Sequence, residues 1–366
     1  MVLSFLKVQG QIVVVSEYLN ELDPRDEWVE LLITSDNVDL RGYKLRDNNS
    51  NQDSWQTEVV FAQHSLWQNL RAGTIIMLYH RNANSASVTY PIDIDKADGF
   101  IQLSIQNTSY FTGGSFGTNP TYAGNTLNLA AGGDIIEILD NNTVHVHALA
   151  HNNSPGIDFT SLASPKLNHS QNISTGDAVY VNAGADLTAY NGASGTTLTA
   201  KGSSNTFGLP NSTSNSLFWR SLRQPAYPSP ALTGFANIAF SQVVLNWNAC
   251  TDLNATDLTT GYLVLRNTSN SFSAPADGQT YSIGNTIGSA QVIAQLNNSA
   301  LTTYTDTVSI ACGNTYYYKV VAFRYGTDNI NGNTYHPARG RAYNETGTNV
   351  ISITRPNTIA AGIRAY

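Results

Sequence analysis

Cysteine is scarce in this chain: there are two residues in 366, Cys250 and Cys312, both in the C-terminal third. Neither a CxxC pair nor a Cys/His ligand spacing occurs, which argues against a structural zinc site. Charge is scarce too, at 12% of residues against an ordinary share of about 25%. Lysine and arginine number 19 against 26 aspartates and glutamates, for a formal net charge of −7. That balance sets the long-range field against polyanions, so nucleic acid is not an expected partner. The small basic pairs Arg220 with Arg223 and Arg339 with Arg341 read as solvated turn charges, a single phosphate contact being the other reading. No apolar run approaches the roughly 20 residues of a membrane-spanning helix, and no membrane insertion is expected.

What fills the space is 41% hydrophobic residues with abundant Asn, Ser, Thr and Gly. Strands with Thr and Tyr on their wet faces, joined by Asn and Gly turns, give that composition; amphipathic helices laced with Glu and Lys do not. Short β-branched or aromatic runs recur between turn signals: QIVVVS (11–16), EWVELLI (27–33), EVVFA (58–62), TIIMLYH (74–80), FIQLSI (100–105), DIIEIL (134–139) and VHVHALA (144–150). The chain is long enough for two hydrophobic cores. The expected fold is all-β, with two immunoglobulin-like β-sandwich domains in tandem.

The first part of the chain resembles a known family. Glu17, Glu27-Trp28-Val29-Glu30-Leu31, Val38-Asp39-Leu40, Gly42-Tyr43, Leu45 and Asp47 fall in the order found in bacterial lamin-tail domains. One departure is Ser16-Glu17, where Asn-Glu is common. The stretch TFGLPNSTSNSLFWRS (206–221) is similar to that family's closing segment, which implies a Gly-x-Pro-Asn turn followed by a final strand carrying Trp. The lamin-tail-like sandwich is then expected over 11–223, with loop insertions around 81–98, 108–126 and 152–178. Residues 224–231 form a Pro-rich linker. From 232 to 355 the chain resembles a fibronectin type III-like module of exported Bacteroidetes proteins, on VVLNWN with Trp247, GYLVLRN (261–267), TYYYKVVAFRY (315–325) and NVISITR (349–355). Residues 356–366 are a tail. Met1 to Gly10 reads as the remnant of a signal peptide, with the mature chain beginning near Gln11. In an exported protein Cys250 and Cys312 can form one disulfide worth about 4 kcal/mol; two buried free thiols are the other reading.

Few constellations carry chemistry. In VHVHALAH, His145 and His147 fall on one strand face at about 6 to 7 Å spacing, with His151, His169 and Asp158 as further metal-ligand candidates; the plainer reading is a solvent-facing strand. Asp47, Asn49, Asn51, Asp53 and Glu58 occupy positions 1, 3, 5, 7 and 12 of an EF-hand-like count, and hard oxygen ligands suit calcium. Gln52, however, stands where that loop needs Gly. The acidic turn Asp23–Asp26 with Glu17, Glu27 and Glu30 is a similar candidate. The glycine-rich loop 109–124 carries Tyr110, Phe111, Phe116 and Tyr122, aromatic faces of the kind that bind sugars or peptides; the alternative is aromatics tucked under the loop. No nucleophile elbow, phosphate-cradling loop or nominated carboxylate pair is present. The sequence therefore points to a non-catalytic exported module, secreted or at the cell surface, that mediates adhesion or binds protein or glycan without a cofactor. The alternatives are accessory domains of a larger exported hydrolase or nuclease, and a calcium-dependent carbohydrate-binding protein.

Overall fold

The computed structural model describes residues 11–21, 26–48, 55, 58–80, 92–113, 127, 129–152, 159–192, 198–203, 206–225, 232–237, 240–250, 261–326, 340–344 and 350–357. The chain separates into two compact units, Met1–Arg223 and Gln224–Tyr366. The regular elements among the described residues are nearly all strands, so the protein is an all-β fold of the sandwich type.

In the first unit β1 (Val13–Leu19), β2 (Trp28–Ile33), β3 (Lys44–Asp47), β4 (Val59–Phe61), β5 (Ile75–Tyr79) and β6 (Phe100–Ser104) follow one another. Then come β7 (Phe111–Thr112), β8 (Asp134–Leu139), β9 (His145–His151), β10 (Lys166–His169), β11 (Ala178–Val181), β12 (Thr199–Gly202) and one helix, α1 (Thr213–Arg223). They form two six-stranded sheets, ordered β12-β11-β1-β2-β5-β6 and β10-β9-β8-β3-β4-β7. Most pairs are antiparallel; β5–β6 and β9–β10 are parallel.

Strand alternation places one face of each sheet inward. Tyr18 of the first sheet meets His151 of the second, its hydroxyl 2.7 Å from Nδ1. Register then puts Val29 and Leu31 inside from the first sheet, and Leu45, Ile136, Ile138 and Leu149 from the second. Every residue of β1 and β2 is buried, on both faces. A sheet face turned away from its partner sheet needs another cover. Here the cover is residues 206–223, a strap across the outer face of the first sheet: Phe207 meets Trp28 edge to face at 5.3 Å, and Trp219 donates its indole N–H to the Tyr190 hydroxyl at 3.2 Å.

The strap corrects an expectation. Its Trp-bearing part is a helix, where the lamin-tail resemblance implies a strand. Ser212 caps the helix by accepting the amide of Asn215 at 3.1 Å. Asn215, Phe218, Trp219 and Arg223 are buried, a 3.6-residue stripe. Arg223, read from sequence as a solvated charge, is fully buried and spends its guanidinium on the carbonyls of Gly73, Gly99 and Asp98. Only glycine serves at 73: its φ is +79°, and an added Cβ would lie 2.2 Å from Arg223 Cγ.

The second unit contains β13 (Thr233–Ala236), β14 (Val243–Asn246), β15 (Gly261–Asn267), β16 (Thr286–Ile287) and β17 (Ala290–Leu296). β18 (Thr303–Asp306), β19 (Thr315–Arg324), β20 (Ala342–Tyr343) and β21 (Val350–Thr354) complete it. A three-stranded sheet, β13-β14-β18, opposes a larger one, β16-β17-β15-β19-β20, in which β21 also pairs with β19. This is an immunoglobulin-like sandwich. Trp247 packs edge to face on Tyr262 at 5.4 Å in the core with Leu245, Val264 and Tyr318. A second apolar cluster lies on the outer face of the larger sheet, where Tyr281 packs with Ile287, Leu263, Val321 and Phe323.

Cys250 and Cys312 are not bonded: Cys250 is buried in that core and Cys312 is exposed in a turn, which corrects both sequence readings. Arg341, also read as a solvated charge, is buried with its guanidinium 4.1 Å from the Phe323 ring centre.

Candidate functional site

The histidine motif illustrates how the strands decide chemistry. β8 pairs with β9 as Glu137↔Ala148, Ile138↔His147 and Leu139↔His145, so Val146 is an extra residue in the ladder. That bulge turns His145 and His147 to opposite faces of the second sheet, contrary to the expected shared face. His147 points inward. Its Nδ1 accepts the Val15 amide at 3.1 Å, and its Nε2–H meets the Tyr190 carbonyl at 2.8 Å. β11 pairs with only Glu17, Tyr18 and Leu19, and His147 completes the ladder in its place. Burial drives its pKa down to about 3, so the ring is neutral. His151, likewise buried and lowered to about 4, lies between the Tyr18 hydroxyl and the Ala131 carbonyl. His169 is buried beside the Thr199 hydroxyl. Neither His147 nor His151 lies on a solvent-facing strand surface, and both ring nitrogens of each are already hydrogen-bonded.

The EF-hand-like count fails on geometry. Asp47 pairs with Ile136 and points inward, fully buried. Glu58 lies outside, ion-paired with Lys44 at 3.1 Å and Arg46 at 3.5 Å. The first and last ligands of the count sit on opposite faces of one sheet and cannot hold the same ion. Asn49, Asn51 and Asp53 lie outside the described residues, as does Asp158. Of the aromatic loop, Phe111 is fully buried between Phe61 and Trp67, at ring distances of 5.3 and 5.4 Å, and is a core residue rather than a contact residue. Tyr110 is half-buried against His64. Phe116 and Tyr122 lie outside the described residues.

What the outer face of the second sheet does gather is a strip of charge beside an aromatic. Lys44 and Arg46 alternate on β3, and Glu137 faces them from β8. Arg46 bonds Glu137 at 2.7 Å and lies 4.0 Å from the centre of the half-buried Trp55 ring. His145 Nδ1 lies 2.7 Å from the other Glu137 oxygen, and its Nε2 3.0 Å from the Pro165 carbonyl. Lys44, Arg46 and Glu58 side chains keep 24%, 18% and 29% of their exposure. The strip is thus a rigid array of donors and acceptors next to an indole, open to solvent on one side.

No family model and no curated protein matches this chain. Among solved structures, a cytokine receptor complex aligns at 9% identity and a TM-score of 0.23, over 94% of this chain and 97% of that one. At that TM-score the likeness carries no argument.

A second ionisable group lies inside. Register turns Asn20 and Glu27 inward from the first sheet, and Asp47 and Asp134 inward from the second, all at one end of the sandwich. Glu27 accepts the Leu129 amide at 3.0 Å and lies 3.4 Å from His80 Nδ1. Asp134 accepts the amides of Ala130 and Ile135. Burial first, and then the charges of Asp47 and Glu27, push Asp134 well above the usual carboxylate range, and burial raises Glu27. These acids cap loops, and no three His, Cys, Asp or Glu side chains among the described residues are gathered as a metal-ligand set.

The strip was missed from sequence because only the apolar members of β3 were followed. Lys44 and Arg46, two residues apart in a strand, and the mid-strand acid Glu137 of DIIEIL were the available signal.

Proposed function

We propose that this protein is a non-catalytic, exported surface or scaffold module, and that its first unit binds a glycan through the outer face of its second sheet. The observation that supports this reading is Trp55 lying over Arg46 beside Lys44, Glu58, Glu137 and His145. The part of the half-buried indole that Arg46 and the sheet leave uncovered offers apolar contact to the C–H groups of a sugar, while the charged groups around it hydrogen-bond its hydroxyls. Because the side chains are already held by one another, little rotamer freedom remains to be lost on binding.

A glycan array with the full chain, followed by calorimetry on any hit, tests the reading. Binding that weakens at least about tenfold in Trp55→Ala and in Arg46→Ala is the expected result. Binding unaffected by both substitutions, or no binding to any glycan presented, overturns it.

A further inference from the structure

The strap that covers the first sheet is fastened by two carboxylates. Glu17 and Glu30 are direct cross-strand partners on β1 and β2, both fully buried. Ser16 occupies a bulge between Val15 and Glu17, which brings its hydroxyl to Glu30 Oε1 at 2.5 Å. The strap docks on both acids. Thr206 gives Glu17 Oε1 its amide at 3.2 Å, and its hydroxyl, which donates to Asn211, lies 2.5 Å from Glu17 Oε2, where it accepts the proton of a protonated Glu17. Gly208 gives Glu30 its amide at 2.9 Å. The hydrogen bonds that begin the strap therefore end on two acids lying side by side under it.

Two neighbouring carboxylates in a dry interior do not readily carry two negative charges, because burial and like charge both favour keeping a proton. The groups facing the pair are mostly neutral. From β11, Tyr180 is the register partner of Glu17. Tyr190 feels Glu30 and is itself held by Asn215 and Trp219 of α1. Asn211 of the strap contacts the Thr206 hydroxyl. Among the described residues no cation pairs with Glu17, and its desolvation outweighs the bonds from Thr206.

We propose that Glu17 and Glu30 are a proton-held clasp: the 206–211 turn is closed over the first sheet while the pair keeps a proton on Glu17, and loosens when both acids ionise. The like-charge repulsion created on ionisation falls on the turn, since β1 and β2 are held by their own ladder of backbone bonds. The far end of the strap stays fixed by the neutral hydrogen bonds of α1 and by the carbonyl cage around Arg223. The opening is local and alkaline.

Hydrogen exchange of the full chain, read by mass spectrometry at about pH 6 and about pH 8.5 and corrected for intrinsic exchange, tests this. In the wild type, peptides over 206–212 should lose protection about tenfold or more at the higher pH, while those over 28–33 and 75–79 hold theirs. Glu17→Gln, which keeps the shape of the protonated acid, should abolish the difference. Equal protection at both pH values overturns the clasp, as does the same loss in Glu17→Gln. Loss over the strap and the β2 and β5 peptides together also overturns it, because that is unfolding of the unit. Should Glu17→Gln not fold, Glu30→Gln serves in its place with the same expected result.

Discussion

At the scale of single residues, identity and consequence part company most clearly in the histidines. His145 and His147 are two apart in sequence, yet one extra residue in the β8–β9 ladder sends them to opposite faces. A sequence pattern shows the spacing and not the bulge, so the shared-face expectation was reasonable and incorrect. The energetic consequence is testable. His147→Ala leaves the buried Val15 amide and Tyr190 carbonyl without their partner and should cost about 2–4 kcal/mol in urea unfolding, whereas His145→Ala on the outer face should cost under about 1 kcal/mol. The cysteines differ in the same way. Cys312 should react with a thiol reagent in the native protein and Cys250 only on unfolding, in equal amounts with and without prior reduction.

Among the elements, strands were legible and the strap was not. Runs such as WVELLI and DIIEIL declare themselves through β-branched and large apolar residues. Residues 206–223 carry a Trp that reads equally well in a strand. What makes them a helix is Ser212 at the cap and a buried stripe at 215, 218, 219 and 223. Tertiary docking settles such a segment more than propensity does. Arg223→Ala removes three bonds to buried carbonyls and should cost about 2–4 kcal/mol by urea unfolding.

Buried acids and buried histidines contribute to the pH dependence of the first unit with opposite signs. Burial raises Glu17 from 4.5 to about 7, and raises Glu27 and Asp134. A carboxyl whose folded pKa is raised contributes stability that is full below its ordinary value and is lost as pH rises through the folded one. For Glu17 that window runs from 4.5 to about 7 and corresponds to about 3 kcal/mol. His147 and His151, lowered from 6.5 to about 3 and about 4, act with the opposite sign below 6.5. The acids are therefore read by difference: the urea midpoint of Asp134→Asn should fall less, or rise more, than that of the wild type between about pH 5 and about pH 8.

For the whole molecule, composition alone carried the class: little charge and much Thr, Tyr, Asn and Gly make strands and turns. Sequence carried the proposed binding surface poorly, because a surface is assembled from strands distant in the chain. Arg46, Trp55, Glu137 and His145 share one face only through the β3–β8–β9 ladder. The same ladder governs calcium. With Asp47 inside and Glu58 outside, a calcium-dependent rise in the thermal midpoint that both Asp47→Asn and Glu58→Gln abolish would contradict this placement; none that depends on both is expected.

Synthesis of the chain meets a constraint set by the strap. Glu17 and Thr206 are bonded across 189 residues of sequence, so the cover of the first sheet is among the last parts of its unit to be made. At about 5–20 residues per second a ribosome needs roughly 10–40 s to bridge that interval. Throughout it the outer face of β1 and β2 lacks its cover, and the apolar side chains that flank Glu17 and Glu30 there, Trp28 and Leu19 among them, are available to any chaperone or to a neighbouring nascent chain. Slow synthesis or early termination before residue 223 would leave the unit without its lid, and truncations there should aggregate where truncations beyond 223 remain dispersed.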